Sequence, residues 1–237
     1  MDPTIDVFNR DVQKHGGYLY TTNTRLSSQF ATQRSTDVVL EMGRMAGRSV
    51  LDIACGDGFY VLRFWERGKP LKMVGVDLAG MAVQLAHASK HDRLIDYAIS
   101  NSHHLPFPNN SFDLVLIQSV LHHDENPTAT IGEAFRVAPE ILVHEPNGNN
   151  LGLKIIEKTS RYHLEHNEKS YASLQLRQWV KRAGGEVTRE KFAGFVPMFS
   201  PDWLAKSMKL VEPLIESSSI AGALCCAVYV LVAHRLR

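Results

Sequence analysis

Short apolar runs alternate with amphipathic stretches along almost the whole chain. Runs at 49–54, 72–77, 95–99, 112–118 and 140–145 have strand length and are bounded by turn residues, so they read as strands. Helical spacing follows the first two, over 58–67 and near 80–90, and precedes the first, over Ser28 to Met45. Pro127 opens a further helix to about Val137, as proline favours a first helical turn. Pro146-Asn147-Gly148-Asn149-Asn150 breaks the pattern, and the amphipathic stretch 151–168 after it is rich in charge and histidine. A helix near 170–183 should end at Gly184-Gly185. Glu186 to Phe192 and Leu224 to His234 read as the last strands, with a helix from Pro201 to Ile215 between them. Residues 1–27 are polar and contain Gly16-Gly17, so they read as a mobile arm ahead of a single domain over 28–237, with a helical insert at about 147–172. Alternation of this kind predicts an α/β protein, a doubly wound Rossmann-like sheet with helices on both faces.

Composition narrows the class. A chain of 237 residues with 44% hydrophobic content can bury the core of one globular domain. Its 26 basic and 25 acidic residues leave a net charge of +1, which gives no electrostatic reason to expect nucleic acid. The apolar run from Ile220 to Ala233 is 14 residues, too short to span a bilayer. The first residues, Met-Asp-Pro-Thr-Ile-Asp, lack the basic region and apolar core of a signal peptide. Three cysteines, two of them adjacent (Cys225 and Cys226), make no disulfide framework, so a reducing, cytoplasmic setting is expected.

Candidate chemistry begins at Val50-Leu-Asp-Ile-Ala-Cys-Gly-Asp-Gly-Phe-Tyr60, a strand, a tight turn and a helix start. Such a turn receives nucleotide-like ligands, and an acid just before it, Asp52, suits a ligand carrying positive charge. The dinucleotide fingerprint G-x-G-x-x-G/A fails, because Val61 occupies its third position. A second landmark, Met73-Val-Gly-Val-Asp77-Leu78, is a strand ending in a carboxylate able to accept two ribose hydroxyls. The third is Ser100-Asn-Ser-His-His-Leu-Pro-Phe107, followed by the strand through Leu116.

In this order and spacing, residues 45–147 resemble the class I S-adenosylmethionine-dependent methyltransferases, whose first motif is acid-x-Gly-x-Gly-x-Gly. Asp52, Ala54, Gly56 and Gly58 fill its marked positions, with Ala54 in place of the first glycine. The resemblance implies a seven-stranded sheet with the last strand pair antiparallel. It implies S-adenosylmethionine as cofactor, with S-adenosylhomocysteine as product. Asp52, Ala54, Cys55, Gly56 and Gly58 would form its turn, Asp77 and Leu78 its ribose site, Asn101 and Ser102 its adenine site, and Gln118 the end of strand four. Asn101 stands where the family often has Asp, and its amide oxygen can serve as the same acceptor.

Ligands of such sheets meet at the carboxyl ends of the strands. That edge carries Gln118 to His123 and His144-Glu145-Pro146-Asn147. The insert adds Arg161, Tyr162, His163 and His166, and the arm adds Tyr18 and Tyr20, with Gly16-Gly17 as a hinge for a lid over the acceptor. Expected acceptor contacts are therefore Tyr18, Tyr20, Glu145, Asn147, Arg161, Tyr162 and His163. Methyl transfer needs alignment, and a base where the acceptor loses a proton, so His122, His123 and His144 are candidate bases. Each has a structural reading as well: a loop cap for His122 and His123, a core histidine for His144. His163 and His166 could share a helical face with Glu145 or Asp124 nearby, but no fourth ligand is evident, so no metal is expected. The C-terminal half resembles small-molecule methyltransferases acting on natural products, sugars, or quinone and lipid precursors. Alternatives are an RNA- or protein-directed methyltransferase and a non-catalytic S-adenosylmethionine-binding subunit. Gln118-Ser-Val-Leu lacks the Asp/Asn-Pro-Pro-aromatic motif of amino-directed base methylases.

Overall fold

The computed structural model describes residues 12–13, 16–159 and 169–236. Seven strands form one sheet in the order β3-β2-β1-β4-β5-β7-β6. They are β1 (Ser49–Ile53), β2 (Lys72–Asp77), β3 (Ile95–Ile99), β4 (Leu114–Gln118), β5 (Glu140–Pro146), β6 (Gly185–Ala193) and β7 (Val228–Arg235). Strands β1 to β5 pair in parallel, and β7 runs antiparallel to both of its neighbours, β5 and β6. Described helices are α1 (Leu19–Thr22), α2 (Leu26–Gly43), α3 (Phe59–Gly68), α4 (Gly80–Ser89), α5 (Pro127–Val137), α6 (Leu151–Thr159), α7 (Ser173–Arg182), α8 (Asp202–Ser217) and α9 (Ser219–Cys225).

Side chains alternate across each strand, so the buried sheet feeds two cores. Leu51, Ile53, Val115 and Ile117 pack with Ile131 and Phe135 of α5 and with Leu176 and Trp179 of α7. Val50, Leu114, Leu116 and Leu142 face the other way, against Val38 and Val39 of α2, Val61 and Phe64 of α3, and Val83 of α4. Arg34 of α2 donates to Glu216 of α8 and to Glu41, which fastens α2 across that second face.

The differences from expectation are local. The helix expected over Ser28–Met45 spans Leu26–Gly43 and ends where Arg44 turns left-handed, at φ 46°. The strand expected from residue 112 starts at Leu114, because Asp113 instead accepts from the Ser49 backbone and hydroxyl through its side chain. The helix expected near 170–183 is Ser173–Arg182. The strand expected over Leu224–His234 is corrected: its front is helix α9, and β7 begins at Val228. Ser218 caps α9 by accepting the Ala221 N–H at 3.2 Å. Of the stretch 151–168, residues to Thr159 form α6 and the rest lies outside the described residues. Among the described residues no helix is long and apolar enough to cross a membrane.

Candidate cofactor and acceptor site

The sheet order reverses between β1 and β4, and the glycine-rich turn stands at that switch. Ala54, Gly56 and Gly58 all have positive φ, at 59°, 55° and 78°. For Ala54 this left-handed geometry is held against its own preference, at a cost of about 1 kcal/mol. Gly58 must be bare, since a Cβ there would lie 2.8 Å from the Tyr97 hydroxyl and 2.9 Å from the Ala86 Cβ.

Asp77 ties the turn to the end of β2. One oxygen accepts the Gly56 N–H at 2.8 Å and the other the Ala79 N–H at 2.8 Å. Each oxygen keeps a second lone pair for a ligand hydroxyl. Burial pushes the Asp77 carboxyl above the usual carboxylate range. Leu78, next along, is half-exposed, and Cys55 is buried with its thiol pushed well up by burial.

Register places four polar side chains on one sheet face. Asp52 pairs with Gly75 and Leu116, and Gln118 pairs with His144, so Asp52, Asp77, Gln118 and His144 all point toward α2, α3 and α4. Asp52 is fully buried, and its Oδ1 has no hydrogen-bond partner among the described residues. Burial, with the Asp77 charge adding to it, pushes the Asp52 pKa up to about 8. The Gln118 Oε1 and both ring nitrogens of His144 are likewise buried without partners.

In the turn after β3, Asn101 Oδ1 accepts the His103 N–H at 2.8 Å. The Thr130 hydroxyl donates to Asp124 Oδ2 at 2.6 Å and lies 3.0 Å from the Ser102 hydroxyl. Asp124 Oδ1 is 2.9 Å from His103 Nε2, so this network joins the 101–104 turn to the loop after β4. Sequence offered Asp124 only as a neighbour of His163 and His166; its pairing with His103 and Thr130 is visible only in space.

At the end of β5, Glu145 accepts the N–H groups of Val120 and Leu121 at 2.9 and 2.8 Å through one oxygen. Its other oxygen accepts from His122 Nδ1 at 2.6 Å. A carboxylate only accepts, so Nδ1 carries the proton in this contact. The His123 ring lies against His122, with centroids 4.0 Å apart. Glu145 is thus spent on holding the β4 loop and orienting His122, not on an acceptor.

His144 is a different case. Burial drives its pKa down to about 4, so it is neutral and weakly basic near pH 7. A histidine with a folded pKa below its unfolded value binds fewer protons when folded. Stability is therefore full above about pH 6.5 and is lost as pH falls through about 4. His144→Leu is expected to remove on the order of 2 kcal/mol of the stability loss between pH 7 and pH 5. Urea unfolding of both proteins at the two pH values checks this, and equal slopes would refute it.

Asn147 is buried and corrected as an acceptor contact. Its amide donates to the carbonyls of Ala223 and Cys226, and its oxygen accepts the Asn149 N–H, so it fixes α9 against β5. Tyr18 packs on the glycine turn, where a Cβ on Gly56 would fall 2.4 Å from its ring, and not on an acceptor region beyond β4. Tyr20 lies in α1, with its side chain outside the described residues, as are Arg161, Tyr162, His163 and His166. Among the described residues no three His, Cys, Asp or Glu side chains are arranged to hold a metal ion.

A mixed sheet with a glycine turn at the switch point of its parallel strands and an acid closing the next strand is the architecture that receives nucleotide-type cofactors. Residues 51–140 match the family model for a methyltransferase domain, and the fold is that of class I S-adenosylmethionine-dependent methyltransferases. It is 31% identical over 100 residues to a demethylmenaquinone methyltransferase of Lactococcus lactis subsp. lactis, covering 40% of each chain. It is 27% identical over 215 residues to a tRNA U34 carboxymethyltransferase of Hahella chejuensis, covering 84% of this chain and 65% of that one. The chain spans about 40–65% of the length of such relatives. In fold it is similar to an S-adenosylmethionine-dependent methyltransferase of Thermotoga maritima, a possible histamine N-methyltransferase. The TM-score is 0.72 at 15% identity, covering 98% of this chain and 100% of that one.

Proposed function

We propose that this chain transfers a methyl group from S-adenosylmethionine to a small-molecule acceptor by in-line displacement. The observation that carries the reading is the pair of unpartnered buried acceptors, Asp52 Oδ1 and Gln118 Oε1, on one face beside the glycine turn. Two acceptors without donors fit the cationic amino-acid end of this cofactor. When bound, S-adenosylmethionine supplies an activated methyl group on a sulfonium. Asp77 would accept from the ribose, and Asn101 and Ser102 would face the adenine. His122, its ring oriented by Glu145, would assist the acceptor's loss of a proton. The insert over 147–172 and the arm over 1–27 would exclude water from the carboxyl edge, with Arg161, Tyr162 and His163 toward the acceptor.

Support for a small acceptor comes from the near-balanced charge and from the activities named for the Lactococcus and Thermotoga proteins. The Hahella relative supports an RNA-directed alternative. Incubation with methyl-labelled S-adenosylmethionine, offering quinone precursors and amines in one arm and tRNA in the other, decides between them. Label in tRNA alone would overturn the small-molecule reading.

The cofactor half has its own test. With a pKa of about 8, Asp52 is mostly protonated at pH 7 without ligand. A bound cation favours the carboxylate, so binding should expel the proton. Calorimetry of S-adenosylhomocysteine binding at pH 7, in buffers of different ionisation heat, is expected to show net proton release, and none in Asp52→Asn. Tighter binding of NAD than of S-adenosylhomocysteine would sink the assignment.

A further inference from the structure

Asp57 sits between the two glycines of the turn and is only 9% exposed. Its Oδ1 accepts the Phe59 N–H at the start of α3, at 3.2 Å, which fixes the carboxylate. Its Oδ2 reaches the N-terminal arm twice, accepting the Tyr18 N–H at 3.1 Å and the Thr21 hydroxyl at 2.7 Å. Gly17 permits this approach, since a Cβ there would lie 2.9 Å from Asp57 Oδ2 and 2.9 Å from Thr22 Cγ2.

The arm so fastened crosses a particular place. The Tyr18 ring rests on Gly56 at the end of β1, and it also packs with Val12, Ala79 and Ala82 beyond the end of β2. Gly56 and Ala79 are the two residues whose N–H groups Asp77 holds. Tyr18 therefore spans the mouth between the glycine turn and the ribose-side acid. That mouth is the donor's cleft in the reading above, and the acceptor would approach from β4 and β5 instead.

We propose that Asp57 is a positioning residue that straps the arm across the cleft of the adenosyl cofactor, making Tyr18 one wall of the cofactor site. This inference rests on the methyl-donor reading. Two bonds to one carboxylate hold the arm, so the strap tightens or loosens with that single side chain. Cofactor entry then requires the arm to lift, and cofactor binding favours the strapped state, because a ligand shifts a conformational equilibrium by its differential affinity.

Amide exchange at Tyr18, Thr21 and Thr22, followed in the full chain with and without S-adenosylhomocysteine, reads the strap directly. The first of these N–H groups bonds to Asp57 and the other two to the Tyr18 carbonyl. Cofactor is expected to slow all three by about tenfold or more. In Asp57→Ala the protection should disappear and the dissociation constant for S-adenosylhomocysteine should rise about tenfold. Asp57→Asn, which keeps one acceptor oxygen, should recover part of both effects. Should Asp57→Ala fail to fold, Gly17→Val carries the same test, because its added side chain meets Asp57 Oδ2 from within the arm and leaves the sheet untouched. Thermal melting without ligand should fall only modestly in Gly17→Val, by the loss of the arm's two bonds to Asp57, while its affinity falls about tenfold. The proposal is overturned if the cofactor speeds exchange at these amides or leaves it unaltered, since the arm would then compete with the cofactor or ignore it. It is also overturned if Gly17→Val binds S-adenosylhomocysteine as tightly as the natural chain. Absence of any binding by the natural chain overturns the donor reading, and this one with it.

Discussion

Replacing His122 with alanine is expected to lower turnover about 10²- to 10⁴-fold while leaving affinity for S-adenosylhomocysteine little changed. Three observations single it out among the candidate histidines. Its Nδ1 donates to Glu145, which fixes the ring. It lies on the loop that follows β4, beside the switch in strand order. His144 has its pKa near 4 and both nitrogens buried, so it is a poor proton acceptor at pH 7. His123→Ala, which leaves the Glu145 contact in place, should lose less than about tenfold. Glu145 keeps the Val120 and Leu121 N–H groups in the His122 variant, so its carboxylate stays bonded and the loop has a reason to persist. Rates with the identified acceptor, set beside an unfolding curve for each variant, separate chemistry from collapse. A folded His122→Ala protein that retains more than a tenth of the natural rate would mean catalysis by alignment alone.

Asp77→Ala is expected to raise the dissociation constant of the cofactor by about tenfold to hundredfold, the loss of hydrogen bonds to a charged acceptor. Its geometry adds a second route to the same outcome. The carboxylate also holds the N–H groups of Gly56 and Ala79, so alanine frees the turn as well as removing the proposed ribose contact. Asp77→Asn separates the two: its amide oxygen can keep one of these backbone bonds, while the charge available to a ribose is gone. Titration calorimetry on both variants reads the effect. An unchanged constant in folded Asp77→Ala would remove the ribose role from this residue.

The framework was legible because strand runs and turn residues are local. Ser49–Ile53 and Lys72–Asp77 are short apolar runs closed by turn chemistry, and the structure places both where the pattern puts them. Helix α9 was hidden inside the apolar run Ile220–Ala233, where periodicity alone does not separate helix from strand. The signal was there in Ser218, a helix-capping residue ahead of Ala-Gly-Ala-Leu. Site residues were legible to the extent that their role is set by the motif they stand in. Gly56 and Asp77 belong to such motifs. Asp57 stands between the motif's glycines, yet its role is not set there, because its arm partners lie 36 and 39 residues away. Glu145 and Asn147 were visible as polar groups at a strand end, but their duties to the Val120–His122 loop and to α9 depend on contacts across the fold.

The placement of β7 has a consequence for how the molecule is made. In chain order it is the last of the seven strands, yet it fills the slot between β5 and β6. Until Val228–Arg235 has been synthesised, Ile141, Leu142 and Val143 of β5 form a bare, apolar edge, and β6 has no neighbour to pair with. Such an edge is a template for another chain. The nascent protein thus passes through a sticky interval that lasts from the completion of β5 to the arrival of its final strand. Shielding during translation, more than stability of the finished sheet, would then set how much of it survives to fold.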